Sequence, residues 1–313
     1  MLRQLMVLLI ASLLVGWSGA NAYALAAFFH GPALQEKTED EKKQEDKEDS
    51  EGEEEEEKVD PAVEAFEKLE KDGRDAQRDF IKKLRSADEA EQMELFKSGG
   101  PRKGFASKYL AYAKKYSGSE NEFKAVSFAA QNGDDDTVKE AMEIIVEKFS
   151  DRKELGTFLQ RFDRTVQFPS EVHMNFLDTL VKKSSEDSIK GSAEYARYSL
   201  LKGVPEMQEM LGSDESMKDM VPASTQEFLK METGKEFDAK LEGMLSDIAE
   251  KYADVKLGRS TLGELAEGEL FVIKHLTVGK VAPNIEGIDL DGEDFKLSDY
   301  RGKVVLLDFW GDW

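Results

Sequence analysis

The residue types in this sequence that could bind a metal or move a proton are three histidines and a run of carboxylates, and their spacing argues against both. His30, His173 and His275 stand far apart in the chain. Glu171, two residues from His173, is too close to share its helix face, and neither His30 nor His275 has a ligand-spaced neighbour. A lone histidine of this kind reads as structural. The run Glu53 to Glu57 lacks the alternating turn-forming ligands of a calcium loop and reads as solvated charge. The sequence contains no cysteine. A disulfide framework, a thiolate metal site and a thiol nucleophile are therefore excluded within these 313 residues. No metal or cofactor is expected.

The elements around these residues divide the chain into four parts. Residues 1–22 carry a positive Arg3, an apolar run from Leu5 to Val15 and the Ala20-Asn21-Ala22 cleavage pattern of a secretory signal peptide; an anchor through residues 5–29 is the alternative. Both place the remainder of the chain in the periplasm or cell envelope. Residues 23–59 form an acidic linker, in which 36–58 hold fourteen acidic and five basic side chains and nothing apolar to drive collapse. The net charge of -22 argues against a nucleic-acid partner.

Helical spacing begins at Asp60-Pro61, an N-cap followed by proline at the first helical position, with Val63, Phe66 and Leu69 recurring behind it. Ser119 with Glu122, and Ser224 with Glu227, have the spacing of capping boxes. Val138, Ala141, Ile144, Ile145 and Lys148 mark one amphipathic helix, and Val172, Phe176 and Leu180 another. Residues 60–276 therefore read as an α-helical domain. Lys115-Tyr116, Lys148-Phe149 and Lys251-Tyr252 end three helices alike, at separations of 33 and 103 residues. Those separations are near one and three helix-hairpin repeats, so the domain is either a tetratricopeptide-like array or an ordinary helical bundle.

After Leu276 the pattern changes to strands and turns. Ile285 to Leu290 alternates, Asp291-Gly292 is a tight-turn pair, and Phe295 to Leu297 returns, which together predict a hairpin. Val304 to Phe309 has the composition of a strand buried on both faces. Such a strand needs neighbours that the remaining residues do not supply, so the ending reads as an interruption.

Residues 277–313 resemble the beginning of the redoxin families, the TlpA-like and AhpC/TSA-like branches of the thioredoxin-fold superfamily. The resemblance rests on Gly279-Lys280-x-Ala282-Pro283, Asp291-Gly292, Leu297-Ser298-Asp299-Tyr300-Arg301-Gly302-Lys303 and Asp308-Phe309-Trp310-Gly311-x-Trp313. It implies the first strands of an incomplete α/β thioredoxin-like domain, so that the chain as a whole is mainly α, a helix-hairpin region followed by that fragment. It also implies an exported thiol-disulfide oxidoreductase or peroxidase-like redoxin, acting on a protein disulfide or peroxide with a thiol electron donor. In the family, the position after Trp313 is the first cysteine of Cys-X-X-Cys, at a helix N-terminus that stabilises its thiolate. The resemblance gives Asp308 the role of the buried acid that exchanges a proton with the second cysteine; the alternative is a strand-end carboxylate paired with Lys303 or Tyr300. Trp310 and Trp313 would flank the site where a substrate disulfide docks.

Without those cysteines the chain as written is expected to be inactive, and residues 278–313 are expected not to fold stably. A nonsense change, a selenocysteine codon read as stop, or fragmentation would each end the chain here. The alternative function is non-enzymatic: an envelope protein whose helical repeats bind a protein partner.

Overall fold

A computed structural model describes residues 60–213, 218 and 221–309. The expected signal peptide and acidic linker lie outside the described residues, as do Trp310 and Trp313. The described chain is mainly α-helical, with two small antiparallel sheets of two strands each.

Thirteen α-helices can be followed among the described residues: α1 Pro61–Ser86, α2 Glu89–Lys97, α3 Gly100–Lys115, α4 Glu122–Asn132, α5 Asp135–Lys148, α6 Lys153–Leu159, α7 Phe162–Thr165, α8 Glu171–Lys183, α9 Asp187–Lys202, α10 Val204–Ser213, α11 Ala223–Phe228, α12 Lys235–Lys251 and α13 Leu262–Phe271. The short hairpin β1 Lys256–Leu257 and β2 Ser260–Thr261 joins α12 to α13, turning at Gly258, whose φ of 65° suits glycine. A π-helical turn, Val272–Leu276, follows α13. Strands β3 Glu286–Ile288 and β4 Asp294–Lys296 and a 3-10 turn, Leu297–Tyr300, complete the described structure.

The first helix starts as its sequence requires. Asp60 accepts the Ala62 N–H at 2.8 Å, and Pro61 occupies the first helical position, where its missing N–H costs nothing. Phe66 then packs on Tyr109 and Tyr112 of α3, and the Tyr112 hydroxyl donates to the Ala62 carbonyl at 2.9 Å. From there one apolar core runs through the successive helices to Ala266. Sequential helices pack as neighbours: α3 on α4, α4 on α5, α8 on α9, and α12 on α13.

The three similar helix ends are similar in structure. Tyr116, Phe149 and Tyr252 each terminate a helix with φ between -111° and -130°, and each donates its N–H to the carbonyl four residues back. Each aromatic ring also packs against the core.

Both expected capping boxes fail. Helix α4 begins at Glu122 itself, with Asn121 in the cap position, because the Glu122 carboxylate is committed elsewhere. Helix α11 begins at Ala223 after Pro222, so Ser224 lies inside the helix, its Oγ buried without a partner. Reciprocal capping contacts do form between Ser170 and His173, between Thr261 and Glu264, and between Asp88 and Glu91 at the start of α2.

The strand expected over 304–309 does not form. Val304, Leu306 and Phe309 are 104%, 92% and 82% exposed, and the segment pairs with no strand among the described residues. A strand is defined by its ladder partner, and 304–309 does not add to either outer edge of the β3–β4 hairpin.

Candidate functional site

The segment that carries the redoxin-like motifs is organised locally. Asp289 Oδ1 accepts the N–H groups of Asp291 and Glu293 at 2.9 and 3.0 Å, and Gly292 takes a φ of 86° that only glycine adopts without strain. This turn sets the register Glu286↔Lys296, Gly287↔Phe295 and Ile288↔Asp294. Lys296 Nζ lies 3.1 Å from Glu286 Oε1 across the hairpin. Asn284 ties the hairpin base to the following turn: its Oδ1 accepts the Ser298 N–H at 2.8 Å, and its Nδ2 donates to Glu286 at 2.9 Å.

Asp308 comes after this hairpin, on the irregular 304–309 segment, and is exposed. The described residues therefore do not supply the burial that a proton-relay role requires. Its alternative pairing, with Lys303 or Tyr300, is not formed either. Lys303 Nζ instead sits 5.6 Å from the centre of the Tyr300 ring. Trp310 and Trp313 lie outside the described residues.

His173 is buried and bonded into its helix start, whereas His275 is exposed. His173 occupies the third position of α8, where its Nδ1 receives the Ser170 N–H at 3.2 Å and lies 2.9 Å from the Ser170 Oγ. Burial pushes its pKa down to about 4, with Asp135 opposing the shift. The His275 ring lies tilted against Phe271, with ring centres 4.9 Å apart. Among the described residues, no group of three or more His, Asp or Glu side chains could hold a metal ion.

Sequence reasoning missed a polar network inside the helical region. Arg197 on α9 pairs with Asp178 of α8 and lies 3.2 Å from Glu194, whose carboxyl is raised first by burial and lowered in part by Arg197. Arg197 lines a groove of about 710 Å³ with Met174, Phe228, Met231, Lys235 and Lys240. On α9, Tyr198 donates to Glu269 at 3.3 Å and Lys202 Nζ reaches the same carboxylate at 2.6 Å, which clamps α9 to α13. Burial first, and then Glu269 and Asp163, push Tyr195 up to about 12. Helical spacing places Glu194 beside Arg197 and Tyr198 beside Lys202 on α9, and tertiary packing brings Asp178 and Glu269 to them.

Comparison with known proteins gives short local matches. The chain is 53% identical over 38 residues to the thiol-disulfide oxidoreductase ResA of Geobacillus kaustophilus, covering 12% of this chain and 22% of that protein. The ResA of Geobacillus thermodenitrificans is 50% identical over 38 residues, with the same coverage of each chain. That of Bacillus thuringiensis subsp. konkukian is 41% identical over 49 residues, covering 16% and 28%. A stretch of this chain is therefore related to thiol-disulfide oxidoreductases of the thioredoxin-like redoxin kind. The chain spans about a quarter of the length of these curated relatives. No family profile matches it, and no solved structure matches it significantly. Among the described residues, no helix is long and apolar enough to cross a membrane.

Proposed function

We propose that this protein is an exported member of the redoxin lineage. In this reading a helical domain at 60–276 carries the N-terminal part of a thioredoxin-like domain at 277–313. The observation that supports it is the local identity to thiol-disulfide oxidoreductases, which reaches 53% over 38 residues. Its substrate class is a protein disulfide or a peroxide, with a thiol as electron donor. Asp308 is the proton-relay acid, and Trp310 and Trp313 form the docking surface, once further elements cover the 304–309 segment.

Thiol-disulfide exchange proceeds by attack of a thiolate on a disulfide sulfur, and these 313 residues contain no cysteine. The chain as written cannot perform that step itself. The test pairs two measurements: the genomic sequence around codon 313, and insulin-disulfide reduction by the product expressed from that locus. A reading frame that supplies Cys-X-X-Cys, with turnover by its product, supports the enzyme reading. Unrelated sequence with no turnover sinks it.

A second reading, a non-enzymatic envelope protein that binds a partner through its helices, is favoured by the location of the core. That core lies between Phe66 and Ala266, within the helical region. Partner capture that residues 60–276 reproduce alone would support this reading over the first.

A further inference from the structure

The connection between the helical region and the redoxin-like stretch is wound in an unusual register. At Val272–Leu276, α13 gives way to a π-helical turn, which holds one more residue than an α-helical turn. Leu262 and Ala266 of α13 are fully buried, and Ile273 packs against the same core. Continued at α-helical spacing, that inward stripe would pass from Ile273 to Leu276. The wider turn carries Leu276 away instead, leaving it 55% exposed beside the half-exposed Phe271 and Val272.

The hydrogen bonding shows what holds the wider turn. Thr277 Oγ1 donates to the Ile273 carbonyl at 3.2 Å, the carbonyl that the Thr277 backbone N–H would take in an α-helix. The hydroxyl stands in for the backbone donor. On the outer side, Lys274 Nζ lies 3.8 Å from Glu242 Oε1 of α12. The turn is thus held by a side-chain hydrogen bond and a long, half-exposed ion pair, both weak interactions, against the exposure of three apolar side chains.

We propose that residues 272–277 form a two-register joint. One register is the π turn, with Leu276 outside and the Thr277 hydroxyl on Ile273. The other is a continued α-helix, in which the Thr277 N–H takes that carbonyl and Leu276 joins the buried stripe. A shift of one residue rotates the downstream chain by about 100°. The joint therefore sets the direction in which the redoxin-like stretch leaves the helical region, and any contact that buries Leu276 selects the α register.

The absence of cysteine makes the test direct, because two introduced thiols carry the only spin labels. S246C on α12 and V278C, at a wholly exposed position just past the turn, are labelled in the full chain, and the distance distribution is read by pulsed electron paramagnetic resonance. Two distances are expected. Thr277→Val, which lacks the hydroxyl, shifts their ratio several-fold toward the α-register distance, and deletion of Val272 leaves one distance. A single wild-type distance that Thr277→Val leaves in place overturns the proposal. Melting curves of both variants are taken in parallel; should the deletion lower the melting temperature, Thr277→Val alone decides.

Discussion

The side chain of Lys148, at the end of α5, reaches back to Glu122 at the start of α4 with Nζ 2.6 Å from Oε1. The two ends are unequal: the Glu122 side chain is 5% exposed and that of Lys148 38%. Glu122 also accepts the Gly118 N–H at 2.5 Å, and Lys148 donates to Ser117 at 2.6 Å, so the pair closes the α3–α4 connection against α5. Removing the cation strands a buried carboxylate, whereas removing the carboxylate leaves a lysine that can reach water. We predict that Lys148→Met destabilises the protein by about 2 to 3 kcal/mol and Glu122→Gln by about 1 kcal/mol. Urea unfolding of the two variants checks the order; equal losses would show that the asymmetry of burial does not matter here.

His173 makes stability depend on pH. Its folded pKa, about 4, lies below the 6.5 of an unperturbed histidine because burial penalises the cation. The unfolded chain therefore binds the proton more tightly. The stabilising effect of the neutral ring is fully present above pH ~6.5 and is lost as pH falls toward 4, a span worth roughly 3 kcal/mol. Protonation also removes the Nδ1 lone pair that receives the Ser170 N–H. His173→Gln should be less stable than wild type at pH 7.5, and the gap should close by pH 4. A gap that does not change with pH would show that the imidazole does not titrate in this way.

These two residues also show where sequence reasoning reaches its range. The helix start at Asp60, the three Lys-aromatic helix ends and the hairpin around Asp291-Gly292 depend on contacts within a few residues, and all were legible in the sequence. The box assigned to Ser119 and Glu122 was not, because the Glu122 carboxylate is shared between the Gly118 N–H and Lys148, 26 residues on. Around His173 the neighbour that matters is Ser170, three residues away in the N-cap position, rather than Glu171, two away. For the candidate site, the turn residues were legible but the irregular course of 304–309, which leaves Asp308 exposed, was not, since an apolar β-branched run specifies a strand only where a ladder partner is present.

Glycines on the two sides of the helices should respond oppositely to alanine. A Cβ on Gly191 of α9 would lie 2.8 Å from the Tyr252 Cβ and 2.9 Å from the Leu262 Cδ1, in the wedge where α9 meets the end of α12 and the start of α13. Gly191→Ala should cost about 1 to 3 kcal/mol through overpacking, despite the better helix propensity of alanine. Gly243 of α12 and Gly268 of α13 have open space at the same position. Gly243→Ala and Gly268→Ala should each stabilise by about 0.5 to 1 kcal/mol. Thermal melts of the three variants test the contrast, and a neutral Gly191→Ala would mean that the wedge yields.

The 304–309 segment should contribute nothing to the stability of the 313-residue chain. Burial of each apolar side chain there would supply about 1.5 to 3 kcal/mol, but Val304 and Leu306 are almost wholly exposed and the segment has no ladder partner among the described residues. Ordering it still costs about 1 to 2 kcal/mol per residue of backbone entropy. Its amides should therefore exchange with solvent near the rates of an unfolded chain while those of α4 and α9 remain protected. The same exposed β-forming residues invite pairing between copies. Leu306→Glu should suppress concentration-dependent aggregation and change the unfolding free energy by no more than about 0.5 kcal/mol. Protection of the Val305 and Leu307 amides in monomeric protein would refute this account, as would a loss of stability in Leu306→Glu beyond that of an ordinary surface substitution.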